Sequence, residues 1–216
     1  MDEANTANEH RSTANKCSTS KDHKFDISMK CIPTRIEYLN SQFLVFDVDV
    51  SEQLMRECRI ITEACGTSPD ARADLRKCGA PFILMPEQVA VLTEYDDTRE
   101  EAYEEMERPP FPKSSIFRIR LNTFRDLWRR GYYLTCGLKF GCDYLAYESV
   151  PGEDHSKWLV KCVDSQDALS SLDLIALSRL SSQVKKHVLL AIVSPDTLSP
   201  YYIEYSWWKP QRSQNV

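Results

Sequence analysis

The sequence predicts an α/β protein: a small N-terminal α/β unit followed by a second unit built on a mixed sheet. Three observations carry this. Strand-length apolar runs alternate with segments of helical period along most of the chain. A strongly acidic stretch and a cluster of prolines divide those segments into two groups. At 216 residues the chain suits one or two domains.

Residues 1–26 are polar and almost without large apolar side chains, which predicts a disordered tail. The N-terminal unit is expected over residues 27–93. Within it, Phe43–Val50 reads as a strand, and Ser51 is placed to cap a short helix around Glu52–Arg59. Cys65–Asp70 reads as a loop. Pro81–Met85 reads as a second strand, with Pro86 in the favoured first position of a helix reaching about Glu94.

Residues 94–113 are expected to link the two units. Glu94–Arg108 holds eight acidic and two basic residues, net −6, against −5 for the whole chain. Pro109, Pro110 and Pro112 stiffen its exit. From Lys113 onward the charge reverses: 14 Lys/Arg and 10 Asp/Glu give +4, compatible with a polyanionic ligand without demanding one.

The second unit is expected over 114–210, with 211–216 as a tail. Asn122–Arg130 has helical period, and Gly131 stands where a glycine ends a helix. Strand pieces follow at Tyr132–Thr135 and Asp143–Tyr147, on either side of a Gly137 turn. Lys157–Val163 alternates with period two. Leu169–Val184 fits an amphipathic helix whose apolar side is Leu172, Leu174, Ile175, Leu177 and Leu180. His187–Val193 is apolar throughout, as a central strand should be, and Tyr201–Trp208 closes a sheet with a helix on it.

The composition also excludes. No apolar run approaches the ~18–20 residues of a membrane span, and the N-terminus lacks the basic and apolar regions of a secretory signal. A soluble intracellular chain, free of membrane, is therefore expected. The eight cysteines show no C-x-x-C pair, so reduced, packed thiols are expected rather than zinc sites or disulfides. Phosphate-loop, dinucleotide and nucleophile-elbow glycine motifs are missing. The carboxylates Asp143, Glu148, Glu153 and Asp154 lack the pattern of a metal-dependent nuclease.

Individual residues say little alone. His155, in a loop just before a strand, suits proton transfer but reads as readily as a surface histidine. Tyr147 at a strand end also reads as a half-buried aromatic. Lys185 and Lys186 read equally as solvated charges at a helix end.

Together they form a pattern. Gly131–Tyr147 (GYYLTCGLKFGCDYLAY), then His155 eight residues on, then Arg179 with Lys186 seven residues later, resembles the catalytic domain of the tRNA-splicing (tRNA-intron) endonucleases over about Phe117–Trp208. Gly79–Gln88 (GAPFILMPEQ) is similar to the N-terminal domain of the eukaryotic catalytic subunit assigned to the 3′ splice site. The short loop from Tyr147 to His155 points the same way.

The resemblance implies a C-terminal nuclease-like domain of that type and RNA cleavage without metal or other cofactor. The 2′-OH would attack the adjacent phosphorus, leaving a 2′,3′-cyclic phosphate and a 5′-OH. It assigns Tyr147 as base, His155 as acid and Lys186 as electrostatic stabiliser, with Lys185 a competitor for the last role. It makes Arg179 and Trp208, next to Trp207, candidates for clamping a flipped base, or else a surface charge and a packing ring. The implied substrate is intron-containing pre-tRNA. The implied assembly is a heterotetramer with a second catalytic subunit and two non-catalytic ones, and the final strand and the Asp196 loop are the expected pairing surfaces. Nuclear residence follows from that substrate class alone. Arg118, Arg120, Arg125, Arg129, Arg130 and Lys139 supply basic character. A 5′-cutting subunit, a non-catalytic subunit and a general RNA-binding module are the alternatives. Retention of Tyr, His and Lys together argues against the non-catalytic subunit, and a general RNA-binding module would bind RNA without cleaving it.

Overall fold

The computed structural model describes residues 36–66, 79–95 and 110–207. The expected tails, 1–26 and 211–216, lie outside the described residues, as do Thr67–Asp70 of the expected loop and most of the acidic stretch. The fold is mixed α/β, with one small antiparallel sheet and one larger mixed sheet.

In the first sheet, β1 (Glu37–Leu39), β2 (Gln42–Val45), β3 (Glu63–Ala64) and β4 (Phe82–Leu84) lie in the order β1-β2-β4-β3, all antiparallel. Helix α1 (Val48–Cys58) begins earlier than the sequence suggests. The expected strand over 43–50 ends at Val45, because the Asp47 carboxylate accepts the Asp49 N–H at 2.8 Å and caps the helix there. Ser51, expected as the cap, is instead buried, its hydroxyl hydrogen-bonded to that of Thr62. Helix α2 (Pro86–Tyr95) starts at Pro86. Gln88 ties its entry by accepting the Met85 N–H at 2.8 Å and donating to the Ile61 carbonyl at 2.7 Å.

The second sheet contains β5 (Tyr133–Cys136), β6 (Tyr144–Tyr147), β7 (Trp158–Asp164), β8 (His187–Val193) and β9 (Pro200–Tyr205), in chain order across the sheet. Only β7 and β8 run parallel; the other neighbours are antiparallel. Helices pack on both faces rather than one. Helix α3 (Ser115–Arg129) starts seven residues before the period visible in the sequence, where the Ser114 hydroxyl caps it. Its Phe124, Leu127 and Trp128 meet Tyr144, Ala146, Trp158, Val160 and Ala191. Gly131, with φ at +96°, follows its end in the left-handed region that glycine tolerates.

Helix α4 (Ser171–Gln183) covers the other face through Leu174, Leu177 and Leu180 of the predicted side, but not through Leu172 or Ile175. Leu172 is 74% exposed and Ile175 is exposed, whereas the helix buries Ser178 and Ser181. Leu174, Leu177 and Leu180 are half-buried at the flanks of that contact. The small serines let the helix backbone approach the sheet, and the Ser181 hydroxyl satisfies itself on the Ser178 carbonyl at 2.8 Å.

One core runs through both sheets. Val45, Phe82 and Leu84 of the first, with Leu54 of α1, share a continuous buried cluster with Leu134, Tyr144 and Ala191 of the second and Trp128 of α3. The Trp128 indole donates to the Cys58 carbonyl at 2.8 Å, and Arg59 returns a bond to the Trp128 carbonyl at 3.0 Å. Ile60 bridges to Leu134 beside them. Arginines of α3, basic residues in the sequence reading, also serve this junction. Arg120 pairs with the buried Glu87 at 3.1 Å, Arg125 with Glu94 at 2.8 Å, and Arg129 with the Tyr95 hydroxyl. Burial opposes the Arg120 charge, but Tyr144, Glu87 and Asp143 outweigh it and raise its pKa.

Among the described residues five cysteines are free thiols. Burial pushes the Cys142 thiol up to about 12, far from a reactive thiolate. No helix among the described residues is long and apolar enough to cross a membrane.

Because Trp128 belongs to both halves, Trp128→Ala should cost about 3–5 kcal/mol in urea unfolding. Far-UV circular dichroism and aromatic fluorescence should then lose signal in a single transition. Two separated transitions would contradict a shared core.

Candidate active site

The strand directions bring three chain segments to one end of the second sheet. β6 runs antiparallel to β7, with Ala146 opposite Trp158, and β7 runs parallel to β8, with Trp158 opposite His187. The end of β6 and the beginnings of β7 and β8 therefore coincide. Lys157 joins all three through its main chain: its N–H bonds the Ala146 carbonyl and its carbonyl accepts the His187 N–H, both at 2.9 Å. Tyr147, the β6–β7 loop and Lys186 thus lie across roughly 10 Å, two strand spacings.

Tyr147 ends β6 on the α4 side of the sheet, packed with Leu180 and Val184 against Cys142, Leu145 and Leu159. Its neighbour Ala146 faces α3. The period of two thus turns the tyrosine to the α4 side.

His155 is exposed in the β6–β7 loop. That loop is closed by a Glu153 N–H to Val150 carbonyl bond of 3.1 Å and a bridge between Pro151 and Asp154. Gly152, at φ +109°, makes the turn possible. The Asp154 carboxylate accepts the His155 backbone N–H at 2.7 Å. Ser156, next in the chain, is buried.

Lys185 and Lys186 differ sharply. Helix α4 ends with the Lys186 N–H on the Ser181 carbonyl at 2.8 Å, which leaves Lys185 exposed in the left-handed conformation at φ +54°. Lys186 turns inward, half-buried, and its ammonium donates to the Ser156 carbonyl at 2.8 Å. Burial lowers its pKa, and Asp154 partly opposes that shift. The resemblance points to Lys186 with Lys185 as competitor, and it is Lys186 whose ammonium bonds the loop that carries His155.

Arg179 lies exposed on α4, its guanidinium 5.8 Å from the centre of the Trp207 ring. With Ser182 and Gln183 the two line an open cleft of about 250 Å³. Trp208, the sequence candidate, lies outside the described residues, and its neighbour Trp207 is 44% exposed. Of the basic residues singled out earlier, Arg120, Arg125, Arg129 and Arg130 are engaged within the fold, the last with Asp126 at 2.8 Å. Sequence reasoning also passed over Asp154 as a neighbour of His155 and Lys186. Among the described residues no three His, Cys, Asp or Glu side chains gather as a metal-holding set.

A half-buried lysine, an exposed histidine and a strand-end tyrosine thus share one end of the second sheet, and an arginine–tryptophan cleft lies at the end of α4. The family described as tRNA intron endonuclease, catalytic C-terminal domain, matches residues 117–201, and that described as TSEN34-like, N-terminal domain, matches residues 34–97. A tRNA-splicing endonuclease of Methanopyrus kandleri is 38% identical over 96 residues, covering 44% of this chain and 52% of the relative. One from Hyperthermus butylicus is 34% identical over 94 residues, with 44% and 52% covered. The human tRNA-splicing endonuclease subunit Sen34 is 37% identical over 78 residues, covering 36% of this chain and 25% of that protein. Residues 34–97 and 117–201 thus match, in order, an N-terminal and a catalytic C-terminal domain of the tRNA-splicing endonuclease type. It spans about half the length of the archaeal relatives it matches.

The left-handed lysine at the helix end gives a direct stability test. Lys185→Gly should raise unfolding free energy by about 0.5–1 kcal/mol, the steric relief exceeding the added chain entropy. An unchanged or lower urea midpoint would contradict the assigned helix ending.

Proposed function

We propose that this chain is a catalytic subunit of a tRNA-splicing endonuclease that cuts intron-containing pre-tRNA at the 3′ splice site. The observation that carries the reading is the convergence of the Tyr147 strand end, the His155 loop and the Lys186 ammonium at one end of the sheet. The TSEN34-like match over 34–97 and the human Sen34 relative support the 3′ assignment.

The chemistry asks for a base, an acid and a cation. Tyr147, as phenolate, takes the proton of the 2′-OH while the 2′-oxygen bonds to phosphorus. His155 gives a proton to the 5′-oxygen as the P–O5′ bond breaks. The products are a 2′,3′-cyclic phosphate and a 5′-OH, a lyase outcome that needs neither metal nor other cofactor. Lys186 faces the negative charge that builds on the phosphorane, and being partly desolvated it acts more strongly there than a fully hydrated lysine.

Arg179 and Trp207, or Trp208 beside it, would hold a flipped base by stacking and cation–π contact, worth ~1–3 kcal/mol per base. Single-stranded splice junctions offer such bases. Strand β9 is the last of its sheet, with Tyr201 72% exposed and Ile203 also exposed. An outer strand carrying apolar side chains calls for cover, which supports association there with a non-catalytic subunit in a heterotetramer holding a second catalytic subunit. Pre-tRNA as substrate points to the nucleus as the place of action.

In single-turnover assays in EDTA with the reconstituted complex, His155→Ala, Tyr147→Phe and Lys186→Ala should each slow 3′-junction cleavage by about 10²–10⁴, sparing the 5′ junction. Equal cutting at both junctions in all three variants would make this chain a scaffold.

A further inference from the structure

The main-chain bonding between β7 and β8 ends at Lys157, whose carbonyl accepts the His187 N–H at 2.9 Å. The next carbonyl outward, that of Ser156, lies beyond the last strand pairing of Trp158 with His187. It accepts a side chain instead: the Lys186 ammonium reaches it at 2.8 Å, from 30 residues away in the sequence. Both ends of that bond are anchored. Ser156 is only 4% exposed, and the Lys186 N–H is held by the Ser181 carbonyl at the end of α4.

His155 sits directly before this anchor. It is exposed, so burial does little to hold it, and the loop behind it turns at Gly152. The neighbouring basic side chains face other partners: Lys157 meets Glu148 at 2.6 Å, and His187 meets Glu204 at 3.0 Å. Lys185 is exposed.

Resting on the reading under Proposed function, we propose that Lys186 is also a positioning residue. Its bond to the Ser156 carbonyl ties the segment that carries His155 to the end of α4, so the lysine acts through the acid as well as on the phosphorane. The two roles are compatible because an ammonium has three N–H donors, and the tether occupies one. Methionine separates the roles from mere bulk, being unbranched and of similar length but bringing neither a donor nor a charge.

The first measurement is backbone 15N relaxation on the full chain without RNA. In the unmodified chain the Ser156 order parameter should stand near the roughly 0.85 of rigid backbone. In Lys186→Met, those of His155 and Ser156 should fall below about 0.6. Lys157 and His187, held by bonds between strands, should keep their order in both proteins, which separates a released loop from an unfolded chain. Unchanged order at His155 and Ser156 in the variant overturns the proposal.

The second is single-turnover cleavage by the reconstituted complex of a pre-tRNA with sulfur in place of the bridging 5′-oxygen at the 3′ junction. The 2′-oxygen still bonds to phosphorus, and the P–S bond breaks with its electron pair on sulfur. A thiolate, from a thiol of pKa about 8.5, leaves without the proton that an alkoxide needs. His155→Ala should therefore cut this substrate nearly as fast as the unmodified protein. The deficit of Lys186→Met should shrink by about tenfold against the all-oxygen substrate, part of the 10²–10⁴ that a placed proton donor supplies. An undiminished deficit means that the lysine acts on the phosphorane alone, and overturns the proposal. If the unmodified complex cuts neither substrate, the functional reading falls and the lysine's action through an acid with it, whereas a loosened loop would still establish the tether.

Discussion

The main chain of Lys157 holds the site in place. Bonded on one side to Ala146 and on the other to His187, it locks three strand ends into register. Those two bonds exist only because β7 runs antiparallel to one neighbour and parallel to the other. An all-antiparallel sheet would set Lys186 and Tyr147 at opposite ends. The parallel step in turn requires a crossover, which α4 provides, and the same helix delivers Lys186 through its left-handed ending at Lys185. Sheet topology, helix ending and lysine placement are thus one constraint.

The other face of the sheet explains why the site is rigid. Helix α3 seals it with Phe124, Leu127 and Trp128, and that contact extends into the first sheet without interruption. The N-terminal unit is consequently a brace for the second sheet, tied by the Trp128–Cys58 bond and the Glu87–Arg120 pair. Burying such an ion pair is stabilising only where further groups answer the charges, and Asp143 lies 3.8 Å from Arg120 while accepting the Cys162 N–H at 2.8 Å. A negative centre in the N-terminal helix thereby reaches the strand that leads to Tyr147.

Much of this was legible in the sequence where local chemistry decides structure. Pro86, Gly131 and the alternation of β7 mark their elements because ring geometry, positive φ and period two act within a few residues. The failures fall where tertiary contacts override pattern. Val48–Val50 alternates like a strand, yet the Asp47 cap makes it a helix turn. Of the apolar face outlined on α4, Leu174, Leu177 and Leu180 pack on the sheet, whereas Leu172 and Ile175 stay exposed and Ser178 and Ser181 are buried. The arginines of α3 read only as basic character, and their partners Glu87, Glu94 and Tyr95 lie 31 residues or more away, beyond the reach of any local pattern. For the site, the types and order of Tyr147, His155 and Lys186 were visible; that Lys186 rather than Lys185 turns inward follows only from how the helix ends.

The central claim is that one centre on this chain drives attack by the 2′-OH at the 3′ junction. It is tested most directly by a pre-tRNA carrying a single 2′-deoxy nucleotide immediately 5′ of the 3′ scissile phosphate, incubated in EDTA with the reconstituted complex. The account predicts normal 5′-junction cleavage, no 3′-junction cleavage, and on the all-ribose substrate a 2′,3′-cyclic phosphate opposite a 5′-OH. Efficient 3′ cleavage of the deoxy substrate would contradict it, because the nucleophile would then have to come from elsewhere.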